Sequence, residues 1–304
     1  MGTTLWGVRR QSLYSSWAAI ELNLVILVPL ILVSTINQGR FSSVKYLVIQ
    51  RIAGISILTI LLVVDHRDLS PGWLIGLNLF FLYKLGAVPF YNWVLIVGER
   101  QRWWSLFFIL TIQKALPLFF LEALGSSEVV KISVLSWVLL PVLIVQIKTL
   151  KGILIISSTF TLIAMIAVTL IISYKWKFLL ALYSVALTPI LAVGGWTKGG
   201  NRGPKVIEEV SSQLMWLILV ASILGLPPTP GFIIKVDISS TLIFLGLVLP
   251  VIVFNLASGA LIYMYLRLIM SKINSSASLF IAPNRQGVPL KVCILIFTFA
   301  WLII

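Results

Sequence analysis

Three ionisable residues stand deep inside long apolar runs: Glu21 in WAAIELNLVILVPL, Lys84 in FLYKLGAVPFYNW and Lys114 in LTIQKALPLFF. Lys84 is the twelfth residue of the run 73–97. About a dozen residues at 1.5 Å each would therefore separate it from either end of a helix, roughly 18 Å. A lysine stem spans about a third of that distance, so a charge at that depth is costly unless it faces a polar interior or an opposite charge. Glu21, ninth in its run, supplies the opposite charge, and Lys114 repeats the anomaly at the ninth position of 106–124. Burial disfavours both charged forms while mutual attraction favours them, so a small change in surroundings can move a proton between a buried carboxylate and an amine. That is the chemistry of a proton relay. A static ion pair, or contact with lipid headgroups, is the bland reading of the same residues.

Two proline-bearing breaks accompany these charges. LGAVPF (85–90), with Gly86 and Pro89, directly follows Lys84; LGLPPTPGF (224–232), with Pro227, Pro228, Pro230 and Gly231, precedes Lys235. An interruption frees backbone carbonyls and amides, which a membrane tolerates only where they line protein or water, so such breaks mark ion pathways. Three prolines in four residues also suggest extended chain. By hydropathy alone the second stretch is an interhelical loop that leaves Lys235 at the surface.

The elements that must position these groups are transmembrane helices. The 304 residues are 60% hydrophobic and only 11% charged, outside the range of soluble globular domains. Apolar runs near twenty residues call for helices rather than barrel strands, whose signal would be short alternating segments. Ten spans are predicted, at about 13–36, 44–64, 71–97, 104–123, 130–148, 152–172, 176–196, 208–243, 247–269 and 288–304. The first is read as a retained helix, because Glu21 and Asn23 interrupt it and it is too long for the apolar core of a signal peptide. The longest hydrophilic connections, 197–207 and 270–287, are too short to fold alone, so the chain reads as a single all-α polytopic membrane domain.

Several functions are excluded on composition. The net charge of +14 is carried by basic residues in ones to threes between apolar segments, the pattern of a membrane flank and not of a nucleic-acid surface. One cysteine, Cys293, and one histidine, His66, provide no cluster for zinc, haem or iron–sulfur chemistry. GGWTKGGNRG lacks the spacing of a phosphate loop and reads as a connection between helices. Lysine and arginine are about twice as frequent on the connections after odd-numbered spans as on the other side. With ten spans, both termini then fall on the poorer face, opposite the cytoplasm or matrix.

Taken in order, WAAIELNLVILVPL, KYLVIQ, KLGAVPFYNW, ILTIQKALPL, GLPPTPGFIIK and LIYMYLRLI resemble chain 2 of mitochondrial NADH:ubiquinone oxidoreductase, the antiporter-like membrane subunits of respiratory complex I. The resemblance covers about residues 14–270. It implies two inverted repeats of five helices, at about 13–148 and 152–269, followed by a C-terminal helix at 288–304; each repeat contains a broken helix. It implies a proton relay of Glu21, Lys84, Lys114 and Lys235, which moves Lys235 from the surface to the interior and carries span 8 through its break to about Ile243, with Gly246 near the turn. NAD, FMN, iron–sulfur clusters and ubiquinone would belong to other subunits. The implied partners are neighbouring membrane subunits of the chain 4 and chain 4L type, accessory subunits and lipids such as cardiolipin, in the mitochondrial inner membrane with both termini toward the intermembrane space.

The sequence also departs from the family pattern. Tyr91 stands where the P-F-H-x-W context has histidine, and SSTFTLIAMIAV (157–168) has none where one is often found, so Ser157, Ser158, Thr159, Thr161 and water would carry the central axis. Animal relatives ordinarily have one more helix before the glutamate, so the chain reads as shortened at its N-terminus. A free-standing cation/proton antiporter shares the Glu/Lys helices but is generally much longer. A structural complex I subunit that no longer conducts is the third reading.

Overall fold

In the computed structural model the chain is described over residues 13–34, 40–65, 71–124, 127–144, 149–169, 175–196 and 229–277, with single positions at 147, 172, 222 and 225. These residues are helical nearly throughout, and no strand occurs among them. The helices are α1 (Leu13–Ser34), α2 (Arg40–Asp65), α3 (Pro71–Leu85), α4 (Asn92–Arg100), α5 (Trp103–Leu110), α6 (Ile112–Leu124), α7 (Ser127–Ile144), α8 (Leu150–Thr169), α9 (Lys175–Trp196), α10 (Pro230–Phe244) and α11 (Val248–Ala277). Among the described residues, five helical stretches are long and apolar enough to cross a membrane: Tyr14–Leu32, Phe41–Val63, Trp103–Leu124, Leu150–Thr169 and Val248–Tyr265. The predicted span 288–304 and most of 208–228, including Pro227 and Pro228, lie outside the described residues.

Helices dominate because every backbone polar group in hydrocarbon must be satisfied within its own segment. The apolar surface is turned outward: Leu22, Val25, Ile26 and Leu30 on α1, and Val48, Ile52 and Ile55 on α2, are all exposed, while Glu21, Gln50, Lys84 and Lys114 are buried. At the centre stands α8, buried from Gly152 to Thr169 and packed by α4, α6, α7, α9, α10 and α11. Its hydroxyls return to its own backbone; Ser157, Ser158, Thr159 and Thr161 each donate to the carbonyl three residues back. Aromatic side chains fill the gaps between elements, with Phe81 stacked on Phe120 at 4.8 Å and Phe254 against both Phe160 and Trp137.

The break predicted at 85–90 is present. Gly86 adopts φ +67°, and the N–H groups of Gly86 and Ala87 donate to the carbonyls of Tyr83 and Leu82 at 3.1 and 3.0 Å. This is a Schellman closure, which needs a left-handed residue and therefore favours glycine. Gly246, at φ +73°, closes α10 in the same way, with Gly246 and Leu247 donating to Ile243 and Leu242. The expectation of a turn at Gly246 is met.

Two boundaries differ from the sequence reading. The span 104–123 is not one continuous helix, because it is interrupted at Thr111 (φ −119°, ψ −73°). The Thr111 hydroxyl shares the Phe107 carbonyl with the Thr111 N–H, beyond the interruption Lys114 N–H turns to the Thr111 carbonyl three residues back at 3.1 Å, and Pro117 withholds the amide that would bond Gln113. α11 continues to Ala277, beyond 269, because the end of an apolar run limits the membrane span and not the helix, whose hydrogen bonds are all within its own segment.

Candidate functional site

Glu21 on α1 and Lys84 at the end of α3 meet across 63 residues of sequence, with Lys84 Nζ 2.7 Å from Glu21 Oε1. The pair forms because α3 stops where it does. The last turn of a helix leaves carbonyls without intrahelical donors, and those of Leu82, Tyr83 and Lys84 each find one here. Leu82 and Tyr83 receive the amides of the glycine turn, Tyr83 also accepts from Trp93 Nε1 at 3.0 Å, and Lys84 accepts from Gln50 Nε2 at 3.1 Å. α2 thus holds the backbone of Lys84 while α1 receives its side chain. The two helices are stitched one turn before the glutamate, where Trp17 Nε1 donates to the Gly54 carbonyl at 2.9 Å.

Lys114 lies on α6, just past the Thr111 interruption. Its Nζ donates to the Ser158 carbonyl at 3.1 Å and sits 5.6 Å from the centroid of the Tyr183 ring. Among the described residues its recorded partners are therefore a dipole and an aromatic face, which stabilise a cation less than a carboxylate does. A cavity of about 20 Å³, room for about one water, is lined by Gln50, Lys84, Gln113 and Lys114 together with Tyr46 and Trp93. Gln113 Nε2 is buried there without a hydrogen-bond partner. On α8, next to Ser158, the Ser157 hydroxyl lies 3.0 Å from the Tyr265 hydroxyl.

Lys235 is half-buried on the second turn of α10, which Pro230 begins after the extended Thr229. Its stem lies beside Gly225, itself at φ +76°, and the buried Gly231 lies against the same glycine. Lys235 does not line the cavity shared by Lys84 and Lys114. Nor does Tyr91, which is partly exposed in the turn before α4.

No family model matches the chain. It is 25% identical to NADH-ubiquinone oxidoreductase chain 2 of the hagfish Myxine glutinosa over 276 residues, 84% of this chain and 78% of that one. It is equally close to the chain 2 protein of Locusta migratoria over 295 residues, 90% and 82%. The chain 2 sequence of Artemia salina is 31% identical over 104 residues, covering 34% of this chain and 68% of that one. The chain belongs to the NADH-ubiquinone oxidoreductase chain 2 family. Its fold also matches a chain of respiratory complex I from Thermus thermophilus with bound aureothin, at TM-score 0.76 and 21% identity over 99% of this chain and 74% of that one.

For this member of the chain 2 family, the geometry adds residues that the sequence reading did not single out. Arg51 on α2 places Nη1 3.1 Å from Glu21 Oε2. Part of the signal was available: Arg51 is the eighth residue of the predicted span 44–64, so the depth argument applied to Lys84 extends to it with less force. Gly54 has no such signal. A Cβ there would come within 2.1 Å of Glu21 Oε1, so the missing side chain is the space that the carboxylate occupies. Gly54→Ala is accordingly expected to push the carboxylate out of the 2.7 Å contact and to lower NADH-driven proton translocation, measured in vesicles that contain the assembled complex; Gly76→Ala, a substitution on α3 that meets only Ile60 Cδ1 at 3.4 Å, is the control.

Proposed function

We propose that this chain is a proton-translocating, non-redox subunit in the membrane arm of respiratory complex I, where it couples NADH oxidation and ubiquinone reduction to proton movement. Family membership supports the assignment to the complex. The observation that carries the relay is the Glu21–Lys84 pair at the end of a broken helix, beside a cavity whose lining also includes Lys114. The proton would pass from Lys84 through that cavity to Lys114 and on along the hydroxyls of α8, with Lys235 at the exit or in a second half-channel. Redox energy would arrive from subunits that hold NAD, FMN, iron–sulfur clusters and ubiquinone.

The proposal includes two repeats, about 13–148 and 152–269, in the mitochondrial inner membrane with both termini toward the intermembrane space. Neighbouring chain 4 and chain 4L subunits, accessory subunits and cardiolipin are its proposed surroundings. The apolar outer faces of α1 and α2 suit such a setting.

The test is Glu21→Ala in the assembled complex, reconstituted in vesicles, with protons counted per NADH oxidised. The expected result is a reduced ratio. An unchanged ratio in a complex that assembles normally sinks the relay and leaves the chain as a structural membrane subunit.

A further inference from the structure

Glu21 has two cationic partners, one on each oxygen. Lys84 takes Oε1 from inside the bundle, with a side chain 2% exposed, and Arg51 takes Oε2 from the outer side, with a side chain 43% exposed. The two cations differ in kind. A lysine ammonium can lose its proton, whereas a guanidinium stays charged at any pH a protein meets. A relay lysine must at some point leave its carboxylate or become neutral. With a single partner, that step would strand a buried anion, a state of high energy.

We infer that Arg51 is a positioning residue of the relay, a fixed charge that keeps the Glu21 carboxylate ionised and in place while Lys84 releases and regains its proton. In the releasing step one proton leaves Lys84 Nζ for a water in the adjoining cavity; Glu21 remains a carboxylate and Arg51 a guanidinium, so no other bond changes. α2 is built for this arrangement. Within five residues it gives Gln50 to the Lys84 carbonyl, Arg51 to Glu21 Oε2, and the side-chain-free Gly54 to the space around Oε1. The middle of a 26-residue helix is also a place where an arginine persists only with a partner, since the helix ends lie roughly 18 Å away. The guanidinium is turned to Glu21.

The inference rests on the relay proposed above, and the experiment separates the two. The assembled complex is reconstituted in vesicles and both NADH oxidation and proton translocation are followed. Arg51→Gln is expected to slow proton translocation about tenfold, a coupling of the size found between residues in one charge network, and Arg51→Lys to recover most of it. In a Glu21→Gln background, Arg51→Gln should add no further loss, because Arg51 acts only through the carboxylate. Normal translocation in Arg51→Gln overturns the inference, as does Arg51→Lys no better than Arg51→Gln, or a further loss in the Glu21→Gln background. If Arg51→Gln does not assemble, Arg51→Lys decides alone: an assembled complex that has lost translocation overturns it. If Glu21→Gln and Lys84→Met by themselves leave translocation intact, the relay fails and this inference with it; if they lower it while Arg51→Gln does not, only this inference fails.

Discussion

Lys84→Met should slow proton transfer through this chain by about a hundredfold or more, the range that a positioned acid–base group supplies, and should also weaken the fold. The two effects have separate causes. The first is the loss of the only described side chain that both bonds Glu21 and lines the cavity with Lys114. The second is that Glu21 stays behind. Removing one member of a buried pair costs about 3–5 kcal/mol because the other charge is left uncompensated, and the cost here should fall near 3 because Arg51 still bonds Oε2. The measurements are proton-to-NADH stoichiometry in vesicles and the denaturant or detergent dose at which the assembled complex releases this chain. Normal stoichiometry, or unchanged resistance to denaturant, contradicts the assignment.

Lys114→Met should abolish translocation through the chain to a similar extent, with the opposite effect on stability. Lys114 is buried without a carboxylate among its recorded partners, and its hydrogen bond goes to a carbonyl that Thr161 Oγ1 also bonds, at 3.1 Å. Replacing it by an apolar side chain of similar length therefore removes a buried cation and orphans nothing. The assembled complex should resist denaturant as well as the unaltered one, or better. The contrast between two lysines in one cavity is the sharpest check on the geometry. A large destabilisation in Lys114→Met would mean that the lysine has an anionic partner, and a stable Lys84→Met would mean that Glu21 does not depend on Lys84.

The architecture and the first half of the site were legible in the sequence for a common reason. Helical spans follow from the length of apolar runs, and the end of α3 follows from Gly86, because only a glycine closes a Schellman turn at φ +67° without strain. The charges at Glu21, Lys84 and Lys114 could be singled out by counting residues to the ends of their runs. Their chemistry is unusual wherever the helices are placed, so no knowledge of packing was needed to notice them. Arg51 is less conspicuous by that count, as the eighth residue of 44–64 and six residues after Lys45.

Other features depend on how whole helices are rotated and stacked, and sequence alone did not determine them. That Glu21 faces both Lys84 and Arg51, that Gly54 makes room for its carboxylate, that Gln50 holds the carbonyl of Lys84, and that Lys114 sits over Tyr183 are contacts between residues 30 to 69 apart. Each depends on the angle at which one apolar cylinder meets another, and helices with little contrast between their faces carry no local pattern that specifies that angle. The sequence by itself determined a helical membrane protein of the chain 2 type, with charges buried at known positions and a break beside one of them. Only the tertiary structure decided which charges are partners, because pairing is set by helix packing, where a rotation of one residue, about 100°, would turn the same glutamate from Lys84 toward the outer surface.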